Sequence, residues 1–286
     1  MKLCVILTAH CPPAVVKLTI GSFIRTLGPG YELDIHVGLH SNYADYTTDL
    51  SIFEELKGIA SIHLIDEIDW TSSEHNACIY RYSTMHAKNL LNIFNHVRYT
   101  NFDYVLILDQ DLFFKKDIVT PSISQSPNSD LIGSLFEDRI VPWHSTTVLD
   151  NRTIHIMPKM SIWHLILSKQ GFNSMMESPN DVYPIEIFHP PTVANFLKTY
   201  KIMPDTSIFF DTFARVYHNM LINKDVRILK SNYFSDYVEH FYKSSFNYGQ
   251  RNLGIDGYTE HTSRIKNIYN REFPNGLSEF RRSVIT

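Results

Sequence analysis

The chain has 286 residues, 44% of them apolar and 20% charged, with 18 Phe and 16 Tyr; this is ample apolar surface for a buried core and excludes a disordered chain. A formal charge of -4 excludes the phosphate-neutralising surface on which nucleic-acid binding depends, so no nucleic acid is expected as a partner. The 3 cysteines, Cys4, Cys11 and Cys78, lack CxxC spacing and point neither to a disulfide framework nor to a zinc cage, which predicts a reducing compartment, the cytoplasm.

In chain order, the opening MKLCVILTAH has too short an apolar run for a signal segment or a spanning helix. It predicts a strand over residues 3–7 that ends in Thr8-Ala9-His10. Pro12-Pro13 then opens a helix in which Val15, Val16, Leu18, Thr19, Phe23, Ile24 and Leu27 recur at helical spacing until Gly28-Pro29-Gly30 stops it. Strands are expected at 33–39 and 61–65, a helix at 83–97 with Ser83 as N-cap, and a strand at 104–108. The last of these, YVLIL, is continuously apolar, as a central strand buried on both faces requires. Beyond residue 120 the regularity weakens, with a strand expected at 131–135 and helices at 161–172 and 210–223. The tail is polar and mixed in charge. Strands alternating with helices predict an α/β fold with a mostly parallel sheet flanked by helices, in one domain. Its 1–120 half is expected to face a nucleotide and its 121–248 half an acceptor, with residues 249–286 a tail packed on the domain. No run approaches the ~18–20 apolar residues of a spanning helix, so any membrane association is expected to be peripheral.

The strongest local signal is Asp109-Gln110-Asp111, directly after YVLIL. In open α/β sheets ligands bind beyond the carboxyl ends of the strands, where these acids emerge. Two carboxylates beside a buried strand are costly unless a cation or hydrogen-bond donors compensate them, and hard oxygen ligands suit Mn²⁺ or Mg²⁺ carrying substrate phosphates. The alternative is a strand-ending turn with two solvated acids.

Taken in order, CVILTAH, HAKNLLNIF, YVLILDQD, FFDTFARVYHNML and YVEHFYKSS resemble the GT-A glycosyltransferases, especially the family 2-like inverting group. The resemblance implies a GT-A fold over residues 1–248 and transfer of a sugar from a nucleoside-diphosphate sugar, UDP- or GDP-linked, to a hydroxyl of a glycan or other acceptor. It implies that Asp109 and Asp111 bind the cation and that His240 completes the metal shell, where the alternative is an ordinary imidazole among 14. Thr8, Ala9, His10, Lys88, Asn89 and Gln110 fall where the nucleotide is met. Trp163 and His164 fall on the acceptor side, although a Trp in an amphipathic segment is also a core residue. Asp211 falls where the catalytic base stands, and equally where a helix N-cap would.

The chain departs from the family pattern at two places. It carries Asp211-Thr212 rather than a Glu-Asp pair, which leaves the base and inversion open. Its second strand ends in GLHSN without the Asp that meets uracil, leaving Asp66 or Asp69 as substitutes. Two rivals belong to other classes, a catalytically silent nucleotide- or sugar-binding module and a nucleotidyltransferase. The second lacks a Gly-rich, Lys/Arg-bearing phosphate loop after the first strand.

Overall fold

A computed structural model describes residues 1–41, 43–66, 81–135, 145–149, 152–156, 160–187, 207–210, 212–229, 236–241, 244 and 246–282. Its strands are β1 (Lys2–Ala9), β2 (Glu32–His40), β3 (Ser61–Ile65), β4 (Tyr104–Leu108), β5 (Leu112–Phe114), β6 (Leu131–Leu135), β7 (Ser145–Leu149), β8 (Arg152–Ile156), β9 (Met160–Ser168), β10 (Ile185–Ile187), β11 (Ser207–Phe210), β12 (Val226–Leu229) and β13 (Val238–His240). The α-helices among the described residues are α1 (Pro13–Thr26), α2 (Ser51–Glu55), α3 (Arg81–Val97), α4 (Val119–Gln125), α5 (Lys169–Glu177), α6 (Ala214–Asn223) and α7 (Phe246–Glu272).

The protein is α/β. Its central sheet has 7 strands in the order β12-β6-β9-β4-β1-β2-β3. Every neighbouring pair is parallel except for β9, which runs antiparallel to both β4 and β6. A 4-stranded sheet, β10-β11-β8-β7, and a β13-β5 ribbon stand apart from it.

Alternation along each strand explains the continuous apolar runs. Leu3, Val5 and Leu7 of β1 join one core with Val15, Leu18 and Phe23 of α1, while Cys4 and Ile6 join a second with Leu90, Ile93 and Phe94 of α3. Both faces of the central strands are covered, so neither can be polar.

Three expectations are corrected here. Residues 161–172 do not form a helix: the run is β9, inserted between β4 and β6, and α5 begins only at Lys169, with the Ser168 hydroxyl accepting the Gly171 N–H at 3.0 Å. A short apolar run has no periodicity that separates strand from buried helix, and here two flanking strands decide it. Ser83 is the third residue of α3 rather than its N-cap, because that helix already includes Arg81. The expected helix from 210 starts at Ala214, with Phe213 at its cap position.

The polar tail contains α7, 27 residues long and broken at Gly254, where φ is 72°. Ile265, Tyr269, Phe273 and Leu277 are buried in the α1 core. The approach is close enough that a Cβ at Gly21 would lie 2.7 Å from Leu277 Cδ2, so α1 carries glycine there. Among the described residues, no helix is long and apolar enough to cross a membrane.

Candidate metal centre

From β1 the chain moves to β2 and β3 on one side, then crosses back to β4 on the other. The strand order therefore reverses between β1 and β4, and the crevice at their carboxyl ends is where ligands bind in open α/β sheets. Ala9 and His10 leave β1 there, and Asp109-Gln110-Asp111 leaves β4.

Helix α1 fixes the acidic triplet from below. The fully buried Thr19 hydroxyl accepts the Leu112 N–H at 3.0 Å and lies 2.8 Å from the Gln110 carbonyl. One turn on, Ser22 accepts the Phe114 N–H at 3.0 Å. The Gln110 side chain in turn accepts the His10 backbone N–H at 2.5 Å, tying the two strand ends together. Pairing of β13 with β5 sets His240 opposite Leu112, and the Phe241 N–H donates to the Asp111 carbonyl at 2.8 Å. A residue 129 positions away is thereby delivered to the triplet.

His240 Nε2 lies 3.0 Å from Asp111 Oδ1 and 3.7 Å from Asp109 Oδ2. The ligand atoms of Asp109, Asp111 and His240 all lie within 4.8 Å of one another, and among the described residues no other group of three such side chains does so. Asp111 is buried, whereas the Asp109 side chain keeps 26% of its surface, so the cluster opens on Asp109's side.

Burial, then the charge of Asp109, push the Asp111 carboxyl above its ordinary range, against the pull of His240. For His240 burial acts downward, yet the Asp111 hydrogen bond and the two carboxylate charges outweigh it and raise the imidazole. The cluster thus calls for positive charge. Two carboxylates and an imidazole at this spacing fit a divalent ion, which would supply that charge while the imidazole gave up its proton.

The residues expected to meet a nucleotide lie along the same carboxyl edge. Thr8 and Ala9 are buried at the end of β1. The His10 ring packs edge-on against His40 and Tyr46, each at 4.8 Å, and His40 Nε2 lies 3.2 Å from the Asn89 side-chain amide. Lys88 reaches the Asp66 carbonyl at 3.5 Å. His10, Asn89, His40 and Tyr46 therefore form one cluster, of which the sequence reading named only the first two. The signal for His40 was its place at the end of β2.

Of the two residues expected to meet an acceptor, His164 of β9 pairs with Leu108 of β4. The backbone of Trp163 then continues level with the start of the acidic triplet, and only that backbone is described. His164 is fully buried and presents no surface to an acceptor. Asp211 and Asp69 lie outside the described residues.

Burial drives the His164 imidazole down to about 3. On β3, burial, reinforced by His36 and His96, drives His63 down to about 4. Both are neutral in the folded protein, whereas the unfolded chain protonates them below ~6.5. A folded value below the unfolded one means stability is lost as pH falls from about 6.5 toward these values, and His164 alone accounts for about 2 kcal/mol by pH 5. Thermal midpoints are expected to drop between pH 7 and pH 5, with a smaller drop in His164→Gln. Equal drops in the two proteins would refute the assignment.

Comparison with known protein families gives no match, and no curated protein matches the chain at a significant level.

Proposed function

We propose that the protein is a metal-dependent glycosyltransferase of GT-A architecture that moves a sugar from a nucleoside-diphosphate sugar to a hydroxyl acceptor. The observation that carries the reading is the meeting of Asp109, Asp111 and His240 in one cluster at the strand-order reversal. A mostly parallel sheet with an acidic triplet leaving its central strand, and a histidine returning on a separate ribbon to complete the donor set, supports the family resemblance.

In this reading Asp109, Asp111 and His240 hold Mn²⁺ or Mg²⁺, and the bound ion stabilises charge on the departing diphosphate. Thr8, Ala9, His10 and Gln110 meet the nucleoside, with the His40–Tyr46–Asn89 cluster shaping the floor. Lys88 offers a point charge to phosphate. Trp163 is the residue assigned to the acceptor by the resemblance, and His164 supports β9 from within the core. Asp211 takes the acceptor proton. A cytoplasmic setting belongs to the same proposal.

A thermal-shift screen of UDP-, GDP-, CMP- and dTDP-sugars, with and without Mn²⁺, tests it. A ligand at 100 times its Kd stabilises the native state by ~2.7 kcal/mol. For a chain of this size that is on the order of 5 °C. The shift is expected from one donor class and to require Mn²⁺. No shift from any nucleotide sugar would overturn the reading, and a shift without hydrolysis or transfer would reduce it to a binding module.

A further inference from the structure

One face of α7 grips the segment that carries His240. Tyr258, His261 and Arg264 recur at three-residue spacing, which puts them on the same side of the helix. Tyr258 donates its hydroxyl to the Ser244 carbonyl at 3.0 Å. His261 Nε2 lies 3.1 Å from Ser244 Oγ. Arg264 stands over the Phe241 ring at 5.8 Å and 3.6 Å from the Glu239 carboxylate.

Ser244 is fully buried, and its hydroxyl donates to the Phe241 carbonyl at 2.5 Å, while the Phe241 N–H holds the Asp111 carbonyl. By contrast, the strand bearing His240 is only 3 residues long and, among the described residues, pairs with β5 alone. So short a ribbon is marginal by itself. The apolar stripe of α7, anchored on α1, supplies the rigid body against which the ribbon is held.

We infer that α7 is a positioning element of the metal centre: Tyr258 and His261, acting through Ser244, hold His240 and Asp111 at ligand spacing and set the affinity for the cation. This rests on the metal-centre reading above. The physical reason is pre-organisation. A ligand already held in place loses little freedom on binding, whereas a loosened one must be ordered at the expense of affinity.

Titration of the full-length chain with Mn²⁺ alone, by calorimetry and by electron paramagnetic resonance of the free ion, tests the inference without substrate. Tyr258→Phe, which removes one hydroxyl, and His261→Leu are each expected to weaken Mn²⁺ binding about 10- to 100-fold, as loss of groups that orient metal ligands does. His261→Gln, which keeps a hydrogen-bonding group, is expected to recover most of the affinity. Melting curves of the metal-free proteins establish that each variant is folded at the titration temperature. Variants that melt earlier yet bind Mn²⁺ within twofold of wild type would show a purely structural helix and overturn the inference alone. A wild-type protein that takes up no Mn²⁺ would overturn the metal reading, and this inference with it.

Discussion

Asp111→Asn is expected to abolish Mn²⁺ binding and to lower metal-dependent transfer by on the order of 10²–10³ or more, while the metal-free protein melts at the same temperature as wild type or higher. The residue is 5% exposed, and burial together with Asp109 holds its carboxyl above the ordinary range. A carboxyl raised in the folded state binds its proton more tightly there than in the unfolded chain. Its ionisation therefore subtracts from stability as pH rises past the unfolded value. Asn removes that charge, keeps the shape and still faces His240, so the fold has little to lose. The cation loses an anionic donor for which a neutral amide is a poor substitute. Calorimetric titration with Mn²⁺ beside a melting curve separates the two effects. Mn²⁺ binding within a few-fold of wild type would remove Asp111 from the metal centre, and a collapse of the melting temperature would mean that the carboxylate serves the fold instead.

How much of this was legible from the chain alone depended on how local each cause is. The strands at 61–65, 104–108 and 131–135 have the bounds expected of them, because strands bounded by turn residues declare themselves in a few neighbouring positions. Strand β9 did not, since SIWHLIL reads equally as a buried helix until β4 and β6 close on either side of it. Helix α7 was hidden by its polar surface; among its described side chains Tyr258, Ile265 and Tyr269, with the partly buried Leu253 and Ile268, mark the side that docks on the core.

The site divides along the same line. Asp109 and Asp111 stood out because they adjoin an apolar strand. His240 was reached only through the family resemblance, for its position depends on two 3-residue strands pairing across more than a hundred residues. His40 is marked by its place at the end of β2, but nothing local marks Tyr46, Ser244 or His261. Each takes its role from a tertiary contact, which a reading of neighbouring residues does not contain.

Asp211→Asn is expected to lower turnover by about 10²–10⁴ with little change in melting temperature, if this carboxylate takes the acceptor proton. Its competing role was the cap of the following helix. That helix starts at Ala214 with Phe213 at the cap position and no side-chain cap bond, which removes the simplest structural ground for an acid at 211. Phe213 itself stands at φ 70°, a left-handed conformation that is uncommon for a non-glycine residue. The turn is held by the surrounding core: the Phe213 ring is fully buried, and its N–H donates to the Val182 carbonyl at 3.1 Å. Backbone held out of its preferred wells by packing is a feature of active-site turns. Asp211 lies outside the described residues, so the decision belongs to kinetics. Asn and Ala at 211 should impair turnover alike if the acid is a base; if it serves the fold, Asn should be nearly neutral and Ala should melt earlier. Product stereochemistry gives a check independent of both variants. A base that activates the acceptor for a single displacement delivers it to the face opposite the leaving diphosphate, so the anomeric configuration must invert. Anomeric proton couplings read by NMR report this directly, and a retained configuration would dismiss the single-displacement role of Asp211 even with its variants inactive.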